Sequence, residues 1–600
     1  MSSCPVFFLL AVAALAGSVA AQPLPSTDPV VVTASRLPQA RAEALTAITV
    51  IEREEIEASG SQDVVELLRR VPGVDVVRGG GLGQQTSLFI RGTNSNHSLV
   101  LIDGIRVSAL GTGGYAWEHL PIARIERIEI VRGARAALWG ADALGGVIQI
   151  FTRRDAQAHA DWRLGSHDTH GLDAGWGQRT QRGSFGAAVG WLESRGQNAT
   201  RPENFSFDPD RDGVLLRNAS VHGELELGSQ TLALRATHAD DRIDFDQGES
   251  RSRQDVQSLS LGGALRQDWE HRLILGANRD RLDTPAFFTA YRSRRQQADW
   301  INTLSLSRND RLNLGLGWLD ERGSQIETFG GTADYRQSRR NRSIFAGWHH
   351  QAGARQLELS GRLDDNSAYG SQTSFAAAWG WDVSRRVRLS ADWGQGFRAP
   401  TMNELYSPGY GGWYAGNPAL APERSHKTEL ALRVMPAPHS AVELRLFRNE
   451  IDQLIDFSGP LAQAINIARA RIDGAELGWR WQGGAWHLDA NATWQDPRDQ
   501  DSGAALLRRP ARKATALIER ELPTGARLGL EAVSASRRSD YGGVDLGGYS
   551  VFALRAHFRL SPSWILDARV ENVLDRDYTL VDGYHTPGSS GLLTLRWRGE

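Results

Sequence analysis

From about residue 155 onward, apolar side chains recur at every second position, and this period excludes most folds open to so long a chain. In SVFALRAHFRL, one face carries Phe552, Leu554, Ala556, Phe558 and Leu560, and the other carries Arg555, His557 and Arg559. RLNLGLGWL aligns Leu312, Leu314, Leu316 and Trp318; HLDANATW aligns Leu488, Ala490, Ala492 and Trp494; RVRLSADW aligns Val387, Leu389, Ala391 and Trp393. Helical spacing fails on all four and strand spacing holds. A soluble sandwich also alternates. Here, however, Trp318, Trp393, Trp494 and Trp597 end their runs, where interfacial girdles belong, and the second face is too rich in Arg for a dry core. The pattern is that of a transmembrane β-barrel with a wet lumen. A mean hydropathy of −0.38 agrees, because lipid-facing and lumen-facing residues average out.

The roughly 445 residues after the switch, at about twenty per strand and connection, make about 22 antiparallel strands. A barrel that wide encloses a lumen that has to be plugged. Residues 40–153 supply a candidate plug of α/β grammar. Val64, Val65, Leu67 and Leu68 form a short helical face that Pro72 and Gly73 stop, and SLFIRG and HSLVLIDGIRV are strands. The glycines at Gly79, Gly80, Gly81 and Gly83 and at Gly145 and Gly146 make no nucleotide-binding loop.

The amino terminus, MSSCPVFFLLAVAALAGSVAAQ, has the apolar run and small-residue end of a secretory signal, expected to be cut after Ala21 or Ala20. It lacks an early Lys or Arg. Cys4, the only cysteine, leaves with it, so neither disulfides nor cysteine metal sites are expected in the mature chain. With 68 basic and 70 acidic residues, nothing points to nucleic acid. The expected organisation is signal 1–21, tether 22–39, plug 40–153 and barrel 154–600.

Two acidic runs stand out. FDPDRDG places Asp208, Asp210, Asp212 and Gly213 in a D-x-D-x-D-G order, hard oxygen donors for a hard cation. The twelfth position of an EF-hand would be Ala219, so that motif fails. A strand, the GSQ turn and a returning strand then lead to Asp240 and Asp241, followed by Asp244 and Asp246, so both runs are expected on one barrel rim. Carboxylates so crowded repel unless a cation bridges them. Calcium at Asp208, Asp210, Asp212, Asp240 and Asp241 is the expectation.

VPGVDV, SLFIRGTNSNHSLVLIDGIRV, IERIEIVRGARAALWGADALGGVIQIFTRR and VENVLDRDYTLVDGYHTPG resemble the TonB-dependent outer-membrane receptors, along nearly the whole mature chain. DPVVVTASR, GQQTSLFIRGTN, GFRAPTMNELYSPGYGGWYAGNPALAPERS, RNEIDQLIDF and ARARIDGAELGWR are most similar to the cobalamin (vitamin B12) receptors of that family. The resemblance implies a monomeric, plugged barrel in the bacterial outer membrane. Its implied ligand is cobalamin or a related corrinoid, its partner is TonB with the inner-membrane energising complex, and it has no redox cofactor. The likeness to the cobalamin receptors further implies calcium ordering of the extracellular loops for substrate capture, with Asn198, where the family has an Asp, a further candidate ligand.

By the same resemblance, Asp28, Pro29, Val30, Val31, Val32, Thr33 and Ala34 form the TonB box. Their β-branched side chains suit strand addition to a partner's sheet edge, and Pro25 and Pro29 are expected to keep the segment from folding back. Ser87, Asn94, Thr112 and Gly113 fall on substrate-contacting plug positions, beside Gln84. The family's second-loop pair is closer to Val-Ser than to Thr-Gly. Thr284 and Arg538 are candidate barrel contacts, with Arg537 an equal choice to the latter. A ferric-siderophore or heme receptor is the alternative within the family. An envelope enzyme would need a Ser/His/acid cluster, and no G-x-S-x-G motif is present. A passive porin would leave the plug and the Val-rich tether without purpose. No catalytic residue is assigned. The family's barrels commonly end on an aromatic residue, whereas this chain continues past Trp597 with Arg598, Gly599 and Glu600.

Overall fold

A computed structural model describes residues 30–31, 36–37, 39–330, 332–409, 413–458, 462–466 and 469–599. Twenty-two antiparallel strands close into a barrel that runs from His159–Gly165 to Ser590–Arg598, the last strand pairing with the first. Closure leaves no edge to pair with another chain. Burial alternates along the strands as the sequence pattern requires: in Gly183–Gln197, Gly186, Ala188, Leu192 and Ser194 are covered while Phe185, Val189 and Trp191 face outward. Trp318, Trp393 and Trp494 are 40%, 38% and 39% exposed on the outer wall. Trp597 lies opposite Trp564, which stacks on Trp162, so the barrel seam is itself aromatic despite the extra terminal residues.

Upstream, a five-stranded sheet fills the lumen. Its members Ile48–Glu52, Ser98–Ile102, Ile125–Arg132 and Gly146–Thr152 are joined at the edge by Ile105–Arg106. A hairpin of Val74–Arg78 with Thr86–Ile90 stands apart from it. The helix Val64–Leu68 begins on the Asp63 side chain, which accepts from the Glu66 amide, and buries the apolar face read from the sequence. That face joins Ile51, Ile90, Ile130 and Ile148 in a core that reaches barrel residues Val256 and Ile274.

Short turns such as Leu227–Gln230 and Ser384–Val387 gather at one barrel end, and the long connections at 198–211 and 399–422 at the other. The plug enters from the short-turn end: Arg388, beside the Ser384–Val387 turn, donates to the Glu43 carbonyl at 3.1 Å. Val30–Val31 pairs antiparallel with Gln39–Ala40. The expectation that proline keeps this segment from folding back is therefore corrected. The ladder is two residues long. Asp28, Pro29, Val32, Thr33 and Ala34 lie outside the described residues, as do residues 1–21, where the signal is expected.

Candidate functional site

The plug presents two loops toward the long-connection end. The first follows Val74–Arg78 and carries Gln84, whose amide donates to the Asp244 carbonyl at 2.8 Å and so ties the plug to the barrel hairpin above it. Ser87 is half-buried on the next strand. Asn94 caps the turn Ser95–His97, its amide N–H donating to His97 Nδ1 at 3.2 Å.

The second loop carries exposed Thr112 and then Gly113 at φ +76. A Cβ at Gly113 would lie 2.8 Å from Thr401 Cγ2 and 3.1 Å from Asn96 Cβ, so this glycine is where loop two touches both the Asn94 turn and the barrel. Thr401 in turn starts the helix Met402–Tyr406 through a reciprocal cap with Glu404. Replacing Gly113 with Val should combine left-handed strain with that clash, an effect of about 1–3 kcal/mol. The expected readout is about tenfold weaker ligand binding by the full chain with barrel assembly intact.

The structure thus brings Asn94, Thr112 and Gly113 together and sets Gln84 against the acidic hairpin. Thr284 ends its strand next to the turn Pro285–Phe287, where Phe287 meets Phe245 at 5.9 Å, so it sits on the rim above Gln84's partner hairpin. Arg538 is drawn inward. It is 5% exposed, donates to the Thr579 carbonyl at 2.6 Å and lies over the Tyr549 ring, while Arg537 is exposed. With plug residues Gly80, Gly81 and Leu82, Arg538 lines a cavity of about 110 Å³ between plug and barrel. Arg509 escaped sequence reading: it reaches across from the barrel to the Gly92 carbonyl and the Asn94 side-chain oxygen, stacked on Phe89 at 4.2 Å. Nothing in a lone Arg-Arg-Pro marks such a contact.

The acidic residues divide into two groups. Asp212 is 3% exposed; its Oδ2 accepts from the Ala199 amide at 2.6 Å, and its Oδ1 is buried with no hydrogen-bond partner. Asp210, Asp244 and Asp246 are its acidic neighbours. Partial burial, and then Asp208 and Asp244, push the Asp210 carboxyl above its ordinary range. Asp240 and Asp241 do not join this group, which corrects the sequence expectation. Asp240 faces outward between Arg217 at 2.8 Å and Arg253 at 2.6 Å, already neutralised. Asp241, one residue on, points into the lumen and meets plug His119 at 3.2 Å. Strand alternation sends the two side chains to opposite faces, away from the loop. Among the described residues no three His, Cys, Asp or Glu side chains converge closely enough to enclose a metal ion as they stand.

Deeper in the lumen, Arg91 clamps plug to barrel. Its guanidinium donates to Glu476 at 2.8 and 3.0 Å and to Glu429 at 2.5 Å, over the Phe447 ring. Glu429 also holds Lys427 and Arg445, and Glu476 holds Arg132. At the short-turn end a cavity of about 490 Å³, lined by charged groups such as Arg70, Arg132, Glu443 and Arg480, separates the plug sheet from the wall.

Two family descriptions match the chain: "TonB dependent receptor-like, beta-barrel" over residues 157–573 and "TonB-dependent Receptor Plug Domain" over residues 40–147. Among curated proteins, the vitamin B12 transporter BtuB of Vibrio vulnificus is 29% identical over 93% of this chain and 92% of its own. The protein of the same name from Photobacterium profundum is 28% identical over 96% of both. Among solved structures, the siderophore receptor PirA of Acinetobacter baumannii superposes with a TM-score of 0.78 at 16% identity, over 92% of this chain and 98% of its own. The ferric enterobactin receptor PfeA of Pseudomonas aeruginosa superposes with a TM-score of 0.79 at 19% identity, over 95% and 100%. At such identities the solved structures establish the fold alone.

Proposed function

The chain belongs to the TonB-dependent receptors of the bacterial outer membrane, and from that premise we propose that it imports cobalamin or a related corrinoid. The observation that carries this reading is the near full-length similarity to two vitamin B12 transporters. The plug agrees with it. A ligand ringed by amide side chains needs small hydroxyl, amide and backbone tips, and Ser87, Asn94, Thr112 and Gly113 supply that chemistry.

In this reading ligand binding at the plug loops is coupled to release of residues 28–34 at the short-turn end. The residues Val30–Val31 exchange their ladder with Gln39–Ala40 for the edge of TonB. The inner-membrane complex then delivers force along the tether, and the polar gap between plug and wall lets the plug rearrange without exposing an apolar face. The chain catalyses no bond-making step.

Calcium belongs to the same proposal. Asp208, Asp210 and Asp212, joined by Asp244 and Asp246, would hold it, and the unpartnered Asp212 Oδ1 is the donor the fold leaves for a cation. Bound there, it would fasten the 198–211 connection to the hairpin that holds Gln84. Calorimetric titration of cyanocobalamin into the purified full chain should give binding that weakens when calcium is chelated. Asp212→Asn should need at least about tenfold more calcium for the same affinity. Absence of cyanocobalamin binding in both buffers, with binding of a ferric chelate or heme, would overturn the corrinoid reading.

A further inference from the structure

Behind plug loop one, residues 80–82 face barrel residues Lys513, Arg538 and Tyr549 across the cavity of about 110 Å³. Most cations on its wall have a carboxylate: Arg69 meets Glu571 at 2.8 Å, Arg508 meets Asp540 at 2.5 Å, and Arg78 meets Asp63. Lys513 and Arg538 do not. They are 8% and 5% exposed, and among the described residues no ion pair serves either. Lys513 donates to the Val74 carbonyl of the plug, and Arg538 Nη2 donates to the Thr579 carbonyl at 2.6 Å. Arg538 Nη1 is buried with no hydrogen-bond partner, as is Arg69 Nε.

The carboxylates around these two cations are already engaged. Asp75 is a shared neighbour of Lys513, Arg509 and Arg538, and its Oδ2 accepts from Gln495 Nε2 at 2.7 Å. Burial pushes the Asp75 carboxyl above its ordinary range despite those cations. Asp540, the other carboxylate beside Arg538, is held by Arg508. A buried cation without a counter-charge is costly, and two of them on one void leave a place for an anion. The void far exceeds the roughly 10–15 Å³ that a single water needs, so a five-atom oxyanion fits. Tyr549 and Tyr578, stacked at 4.6 Å, line the same wall and bring two phenol groups to it.

We propose that this cavity binds one small tetrahedral oxyanion, phosphate or sulfate, that joins plug loop one to the barrel wall. Arg538 would supply its free Nη1, Lys513 its remaining ammonium donors, and the tyrosines their hydroxyls. Four oxygens suit this spread of donors from both domains, whereas a carboxylate offers two. Asn94, Thr112 and Gly113 do not line the cavity, so the site stands apart from the loop tips and from the identity of the imported ligand.

The test titrates the detergent-solubilised full chain, at low ionic strength, with inorganic phosphate, sulfate and acetate. Wild type should bind one phosphate per chain; sulfate should compete with it, and acetate at equal concentration should not. Arg538→Gln and Lys513→Gln should each weaken phosphate binding by about tenfold or more, the loss of one charge-assisted hydrogen bond. Asp75→Asn should act in the opposite direction and tighten it about threefold, because it removes the negative charge that competes with the anion. A purely structural role for these side chains would not produce that reversal. Heat-dependent gel mobility reports barrel assembly; should Arg538→Gln fail to assemble, Asp75→Asn carries the test. Phosphate binding that is absent from wild type, unchanged in assembled Arg538→Gln or not tightened by Asp75→Asn would overturn the proposal. So would displacement of phosphate by saturating cyanocobalamin, which would place these cations in the cargo site.

Discussion

Replacing Arg91 with Met should loosen the plug while leaving the barrel intact. Arg91 is 2% exposed and its guanidinium meets two carboxylates that are themselves 2% and 3% exposed. Removing one partner of a buried ion pair leaves charge without solvent or counter-ion, at a cost of about 3–5 kcal/mol. Lys427, Arg445 and Arg132 remain to compensate part of it, which places the effect nearer the lower bound. The barrel strands keep every ladder bond, so the loss falls on the plug. Hydrogen exchange at Thr86–Ile90 and Ser98–Ile102 should quicken about 100-fold or more, with barrel amides unchanged. A second change, Glu476→Gln, should recover part of the protection, because it removes one of the stranded charges. Unchanged exchange in R91M would mean that the clamp is not what holds the plug.

The second large effect concerns the tether. Val31→Pro removes the backbone donor and fixes φ in a segment proposed to join TonB by strand addition. Ligand affinity of the purified chain should stay within about twofold, since the site lies at the opposite barrel end, whereas energised uptake should fall by about 100-fold. The split between binding and uptake separates a coupling defect from a folding defect. A V31P chain that transports at the wild-type rate would remove residues 28–34 from the mechanism.

The barrel was legible because a lipid-facing wall admits no exceptions to alternation, and Leu312, Leu314, Leu316 and Trp318 betray it locally. The plug strand Ser98–Ile102, buried at every position, was legible for another local reason, a short apolar run closed by the Asp103-Gly104 turn. Contacts that depend on register were not. Arg91 and Glu476 stand 385 positions apart, and only closure of the barrel makes them neighbours. The hairpin through the GSQ turn does return Asp240 and Asp241 toward the rim that Asp212 occupies, yet alternation sends one to Arg217 and Arg253 outside and the other to His119 within. Asp244 and Asp246, two steps further along, reach the loop instead. The reciprocal cap of Thr401 and Glu404 likewise takes its meaning from register, where Gly113 packs against Thr401.

Uptake of radiolabelled cyanocobalamin by cells in which this chain is the sole outer-membrane receptor tests the account most directly. Accumulation should stop when the inner-membrane proton gradient is collapsed, with surface binding preserved. Cells that take up no cyanocobalamin, yet accumulate a ferric chelate or heme in the same gradient-dependent way, would contradict it.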